Sequence, residues 1–271
     1  MRSSLLTAAL AAAILSSCVN PIPKGVAAHP QGLLPSQDTT TTPAGFLEVE
    51  AVGSWAAGEE QAMGVVRYGL ADRTELYLAQ DLHHSLTIPG AADPSGLGDA
   101  WIGVRHRVID RDSAMVAHAF LAEVRIPHSD TDPGINADAL ELHLGHLRDG
   151  SWGRFDWTTN VDLFFLADPA GRPDPALGGS LTLSSPLLEI AGTKLPLAFL
   201  AEAGGLYHPE EDQLPAWVAA GIRIPLHPSL ELQAAWIQGL GGDAPDDRWA
   251  LNLGRLVGDA LLFGRSTTRD S

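Results

Sequence analysis

The residue types that could do chemistry fall into four groups. Cys18 is the only cysteine in the chain and follows Leu15-Ser16-Ser17 directly. That spacing matches a bacterial lipobox, in which the sulfur takes a diacylglyceryl group and the cysteine becomes residue one of the mature protein. Arg73, Glu75, Asp81, Asp99, Arg105, Arg107, Glu123, Arg125 and Glu141 form a second group, all at odd positions of neighbouring segments. Mixed signs on one face of adjacent strands predict cross-strand ion pairs, or a polar constriction lining a lumen. Asp130-x-Asp132-x-Gly134-x-Asn136-x-Asp138 spaces oxygen ligands as calcium loops do. Gly134 occupies a ligand position, however, and no bidentate Glu ends the run, so an acidic hairpin loop is the simpler reading and no metal is expected. His143 and His146 would share a face on a helix but point oppositely on a strand.

Enzyme signatures are missing. The chain has no GxSxG elbow, no HExxH and no phosphate-binding glycine loop. His83, His84 or His118 could serve an outer-membrane lipid hydrolase, but no partner Ser and acid can be named for them. No catalytic residue and no cofactor is expected.

The elements that must carry these residues have a period of two. Over 113–126 the even positions give Val116, Phe120, Val124 and Ile126, while the odd ones give Glu123 and Arg125. In 138–147, Leu140, Leu142 and Leu144 alternate with Glu141 and His143; in 154–165, Phe155, Trp157, Val161, Leu163 and Phe165 alternate with Asp156, Thr158, Asn160 and Asp162. One apolar and one charged face per segment is the mark of a strand. The predicted strands are 46–56, 61–70, 73–82, 97–109, 113–126, 138–147, 151–166, 177–188, 195–207, 214–226, 230–238 and 248–257.

Composition narrows the class. The 271 residues hold 17 Lys+Arg against 33 Asp+Glu, a net charge of −16. Such an acidic chain is a poor nucleic-acid binder, because that affinity comes largely from neutralising phosphates. With 28 Gly and 19 Pro it is too turn-rich for a helical bundle, and its mean hydropathy of +0.04 is too low for a polytopic helical membrane protein. Residues 1–17 (MRSSLLTAALAAAILSS) have the basic start and short apolar run of a lipoprotein signal peptide. Residues 18–44, with Pro21, Pro23, Pro30, Pro35, Pro43 and the run Thr39–Thr42, show no apolar periodicity and read as the lipidated Cys18 plus a flexible linker. The strands fill 45–263, and 264–271 form a tail.

Twelve long strands with one apolar face point to an all-β fold, an antiparallel up-and-down transmembrane β-barrel. A sheet in hydrocarbon must close on itself so that every backbone group is paired. The connections agree: 57–60, 83–96, 127–137, 167–176, 208–213 and 239–247 alternate with 71–72, 110–112, 148–150, 189–194 and 227–229, and long and short alternate almost throughout. Outer-membrane barrels place long loops outside and short turns in the periplasm, where the chain begins. The expected location is therefore the outer membrane, lipid-anchored, with a periplasmic N-terminus. Val19 after Cys18, rather than Asp, favours that membrane. Trp55, Trp217, Trp236 and Trp249 are expected in an outer aromatic girdle, Trp152 in an inner one, and Trp101 in the interior. His106 and His118 fall on the apolar face, against the pattern. Thirteen acids in the outer loops, Glu59, Glu60 and Glu210–Asp212 among them, face only Arg172 and predict a cation-favouring mouth.

The strings Val66-Arg67-Tyr68-Gly69-Leu70-Ala71-Asp72-Arg73-Thr74-Glu75-Leu76, Gly96-Leu97-Gly98-Asp99 and Val124-Arg125-Ile126-Pro127 occur in that order. Together they resemble the outer-membrane β-barrel family named for the MetA pathway of phenol degradation, over roughly residues 45–257. The resemblance implies a transporter-like barrel for small or hydrophobic, including aromatic, solutes, without catalytic residues. The chain departs from that family in its lipobox and in ending on Ser266–Ser271 rather than on an aromatic-terminated strand; Phe263 is the nearest aromatic.

Three functions stay open on the sequence: a channel or transporter in the outer membrane, a lipid-anchored soluble periplasmic β domain acting as a binding or structural module, and an outer-membrane lipid-modifying enzyme. The expected partners are outer-membrane lipid and a small or hydrophobic solute, not nucleic acid.

Overall fold

The computed structural model describes residues 37–87, 95–111, 114–128, 140–167, 173–189, 196–207, 209, 214–227, 229–240 and 247–257. Twelve long strands follow in chain order: β1 Leu47–Ala56, β2 Glu59–Ala71, β3 Thr74–Leu86, β4 Ala100–Ile109, β5 Val116–Ile126, β6 Glu141–Trp152, β7 Phe155–Ala167, β8 Pro173–Ser184, β9 Pro196–Tyr207, β10 Ala216–His227, β11 Leu230–Leu240 and β12 Arg248–Val257. Two-residue strands, Ser95–Gly96 and Leu188–Glu189, pair with β3 and β9. Among the described residues there is no helix.

Each long strand pairs antiparallel with the next, and β12 returns to β1 over a continuous register from Leu47↔Val257 to Ala56↔Arg248. The sheet therefore has no free edge and forms a closed twelve-stranded barrel. With ten to thirteen residues each, the strands have the length that a tilted strand needs to cross a bilayer, about 9–11 residues.

The alternation sorts the side chains by wall. Leu78, Ile102, Phe120, Leu144, Val161 and Leu163 stand exposed on the outside, while Glu50, Glu75 and Arg105 are completely buried inside. In most strands the outward position is apolar because it faces hydrocarbon, and the inward one carries the polar groups. Trp55 of β1, Trp249 of β12 and Trp236 of β11 occupy one cross-strand row across the closing seam, at the end away from the N-terminus. Trp152 is exposed at the opposite end, beside Phe155. Trp217 departs from the girdle expected for it. It faces inward, and its indole Nε1 donates to Glu202 at 2.8 Å.

Several connections differ from the expected lengths. At the end away from the N-terminus, the β1–β2 link is the two-residue turn 57–58 and the β7–β8 link is 168–172; at the N-terminal end, the β4–β5 link is 110–115 and the β8–β9 link is 185–195. The β6–β7 turn lies at 153–154 rather than 148–150, so β6 extends to Trp152. Gly58 and Gly153 supply the positive φ that such tight turns require, at 83° and 64°.

Candidate functional site

The polar interior is built strand by strand at the N-terminal half of the barrel. Asn252 on β12 donates to Glu50 on β1 at 3.0 Å, across the closing seam. Glu50 is ion-paired with Arg67 on β2, and Arg67 Nε lies 3.7 Å from Glu75 on β3. Glu75 Oε1 is 3.6 Å from Arg105 Nη1 on β4, the residue directly opposite it in register. The result is a charge ladder over five strands. Buried charges persist only when paired and hydrogen-bonded, and the alternating signs here meet that condition.

The ladder holds a second object. Residues 37–44, expected as the end of a flexible linker, run through the barrel interior. Arg105 donates from Nη1 to the carbonyls of Asp38 (3.3 Å) and Thr40 (2.9 Å), and from Nη2 to Gln37 Oε1 at 2.5 Å. Glu75 Oε2 accepts from the backbone N–H of Thr42 at 2.7 Å and from its hydroxyl at 3.1 Å. On the far side Asp149 of β6 accepts from the N–H of Thr39 at 2.8 Å and from its hydroxyl. Asn160 of β7, with its amide oriented to suit, donates to the Gln37 carbonyl and accepts from the Gln37 N–H. Thr39, Thr41 and Thr42 are all buried. The segment leaves the interior along Gly69 of β2, where Ala44 makes a parallel bridge. A Cβ on Gly69 would stand 2.0 Å from the Pro43 carbonyl oxygen, so only glycine allows this approach. A stretch without apolar periodicity is ordered here because the barrel supplies partners for its backbone.

Further from the N-terminal end, His143 of β6 is clamped between two carboxylates. Its Nδ1 is 2.5 Å from Glu123 Oε1 and its Nε2 is 2.9 Å from Asp162 Oδ1, while its ring stacks on Phe164 at 4.3 Å. Beside it is a cavity of about 130 Å³, bounded by Gln37, Phe164, Trp217 and the glycine-rich wall of Gly178, Gly179 and Gly205. Ala219, Ala235, Ile237 and Ala250 form a separate apolar wall on β10–β12, packed with Leu200 and Trp217. This apolar patch lies beside buried polar groups of the same strands, Glu202, Glu231, Gln233 and Asn252.

The nine candidate residues separate. Glu75 and Arg105 belong to the ladder. Asp81, Asp99, Arg125 and Glu141 form a second cluster towards the other end: Arg125 Nε donates to Asp99 at 2.6 Å, its Nη1 lies 4.0 Å from Glu141, and Gln61 donates to Asp81 at 2.8 Å. Arg125 also stacks over the Trp101 ring at 5.3 Å. Glu123 partners His143. Arg73 and Arg107 are instead on the N-terminal rim, both paired with Asp110, because β3 begins and β4 ends there. Cys18, Asp130, Asp132, Asn136, Asp138 and most of the loop acids lie outside the described residues. No metal-ligand cluster is found among the described ones. His84, one of the hydrolase candidates, meets Glu59 at 3.3 Å, and His118 meets His146 at 3.1 Å.

Sequence reasoning passed over Gln37, Thr39, Thr42, Asp149 and Asn160. A signal for the last two existed, since both share the inward parity of their strands with Glu141 and Asp162. β1 turns its even positions inward, so Glu50 falls outside the odd-numbered set; Arg67 has the odd parity of that set but lies on β2, ahead of the strands the set spans.

A closed, all-antiparallel, twelve-stranded barrel with an apolar exterior and a polar interior is an outer-membrane barrel by architecture. No protein-family model matches the chain, and no curated protein does. Among solved structures, it is similar to an outer membrane channel from Pseudomonas putida F1, with a TM-score of 0.59 at 14% identity over 82% of this chain and 99% of that one. It is also similar to the KdgM porin, solved in complex with disordered oligogalacturonate, with a TM-score of 0.54 at 5% identity over 77% of this chain and 98% of that one. At these identities the likeness concerns the fold.

Proposed function

We propose that the protein is an outer-membrane channel or transporter of the kind its MetA-type motifs resemble, lipid-anchored through Cys18 with its N-terminus in the periplasm, for small or hydrophobic solutes. Residues 37–44 carry this reading. Eight-stranded barrels fill themselves with side chains, and those of 16–18 strands leave an aqueous channel. Through this twelve-stranded interior runs a chain segment, held by Arg105, Glu75 and Asp149. A segment that fills the interior without belonging to the wall can be withdrawn while the barrel stays closed. The names of the two neighbours, an outer membrane channel and a porin, point the same way. The apolar wall of Ala219, Ala235, Ile237 and Ala250 is where a hydrophobic solute finds contact without stripping water from charges.

The test is a planar-bilayer recording of the mature chain against a variant lacking residues 19–43. The intact protein should give small or no conductance steps and the truncated one clearly larger steps. Equal silence from both, with folded barrels, would leave a structural role in place of transport.

A further inference from the structure

The lipid-facing wall carries one polar cluster that a channel role leaves unused. His106 of β4, Phe120 of β5 and His146 of β6 stand in one cross-strand row, and His118 faces Arg148 in the next row towards the N-terminal end. His118 Nδ1 is 3.1 Å from His146 Nε2, the two rings stack at 5.4 Å, and Phe120 stacks on His146 at 4.9 Å. His106 Nδ1 is held 2.9 Å from the Thr74 hydroxyl. Arg148 and His106 are exposed on this wall, and His118 and His146 half-buried. Charged and polar groups on the lipid side of a barrel are costly at the bilayer midplane and are tolerated near an interface, where they meet headgroups.

On the midplane side of the cluster the wall forms a groove of about 470 Å³, lined by Val104, Ala122, Leu144, Val161 and Leu163. Val104, Ala122, Leu144 and Leu163 are one another's cross-strand partners, so the groove floor lies two residues further along each strand than His106, Phe120, His146 and Val161. From the His118–Arg148 row to this floor is four residues, about 13 Å at the rise of a strand. At the strand tilt of such barrels, about 35–45°, that is about 10 Å of depth, within one leaflet of the ~30 Å hydrocarbon core.

We propose that this wall binds one anionic glycerophospholipid of the periplasmic leaflet. Its phosphodiester sits against Arg148, His118 and His146, and one acyl chain lies in the groove towards the midplane. Arg148 and the imidazole N–H groups are donors that suit a phosphate, and Phe120 covers the junction of head and tail. The polarity of the site selects the leaflet, because a lipid of the outer leaflet would present its tail, not its phosphate, to the basic end. The inference rests on the reading of the barrel as membrane-embedded with a periplasmic N-terminus.

Native mass spectrometry of the mature chain in detergent, with dioleoyl phosphatidylglycerol added, tests it. The wild type should retain one lipid, and millimolar inorganic phosphate should not displace it. Arg148→Ser with His118→Phe should weaken retention by about tenfold or more, the loss expected for a charge-assisted contact. Leu163→Trp, which fills the groove and leaves the basic cluster intact, should weaken it as well. Unchanged retention by the cluster variant, displacement by free phosphate, or unchanged retention by Leu163→Trp would each overturn the proposal. Heat-modifiable gel migration is read on every variant; should the cluster variant not fold, Leu163→Trp decides. A wild-type chain that is folded and monomeric in plain buffer would refute the membrane reading itself, a different failure from a folded membrane barrel that keeps no lipid.

Discussion

Arg105 of β4 donates from Nη1 to the carbonyl of Thr40 at 2.9 Å, joining the barrel wall to a segment 65 positions earlier in the chain. The same guanidinium faces Glu75, which accepts from Thr42. One ion pair therefore does two things: it braces β3 against β4 and presents donor and acceptor in the order that residues 37–42 need. Removing either partner should loosen the wall and the segment together.

For this pair the expected cost is large. Arg105→Met leaves Glu75 buried against fewer cations, and breaking a buried pair typically costs about 3–5 kcal/mol. The gel temperature at which the folded band converts to the unfolded one should fall clearly for Arg105→Met. It should recover in part for Arg105→Met combined with Glu75→Gln, which removes the orphaned charge. A double variant no more stable than the single one would mean that the two residues act independently.

Gly69→Ala separates the segment from the wall. The added methyl meets the Pro43 carbonyl at 2.0 Å, while β2 can hold alanine in its ladder. The barrel should keep its heat-modifiable migration, residues 37–44 should become sensitive to protease, and single-channel conductance should rise. Unaltered protease resistance would show that the segment is held without the close approach at Gly69.

The strands were legible because lipid on one side and a polar interior on the other enforce a strict period of two, and closure follows from the same constraint. The occupied interior was not legible in the same way. Thr39–Thr42 carry no apolar pattern, and their order comes from hydrogen bonds to Arg105, Glu75 and Asp149, residues 33 to 110 positions away. Parity could single out Glu75 and Arg105 as inward, yet it could not distinguish them from Arg73 and Arg107, which share the parity but lie at the rim. Height along the barrel depends on where each strand begins, and strand ends are what alternation defines least. Trp217 shows the same limit. Near a strand end an indole serves a girdle or an interior acceptor equally well, and Glu202 decides between them.

His143 gives a third prediction. Each ring nitrogen of His143 faces a carboxyl oxygen, so one imidazole bridges Glu123 on β5 and Asp162 on β7. His143→Phe keeps the stack on Phe164 but leaves the two carboxylates without a shared partner. The variant should unfold at lower gel temperature. Adding Glu123→Gln and Asp162→Asn should restore much of the loss, because it removes the two buried negative charges that the imidazole no longer partners. Absence of rescue would assign the destabilisation to shape, not charge.

Cys18→Ser tests the anchor. Fatty-acid probe label should disappear and the precursor should escape lipoprotein-type cleavage, while the barrel stays in the membrane fraction through its own apolar wall. Undiminished label on the Cys18→Ser variant would sink the assignment of the anchor to this cysteine.

The last prediction concerns ion preference. Inside the barrel the signs largely pair off: Glu75 with Arg105, Asp99 with Arg125, Glu123 and Asp162 with His143. A wall of matched pairs gives small ions little net field, so selectivity should come from the mouth. There Glu59 is met by Arg248 at 3.1 Å and by His84, while the loops that follow carry an excess of acids. Currents through the variant lacking residues 19–43 should lean towards cations at low salt. The lean should fade near physiological ionic strength and above, where the Debye length falls to about 8 Å and the loop charges no longer reach the pore axis. Glu60→Gln with Glu210→Gln and Glu211→Gln should reduce the bias without changing the size of the steps. Reversal potentials in a salt gradient measure it directly, and anion-leaning currents at low salt would contradict the electrostatic account.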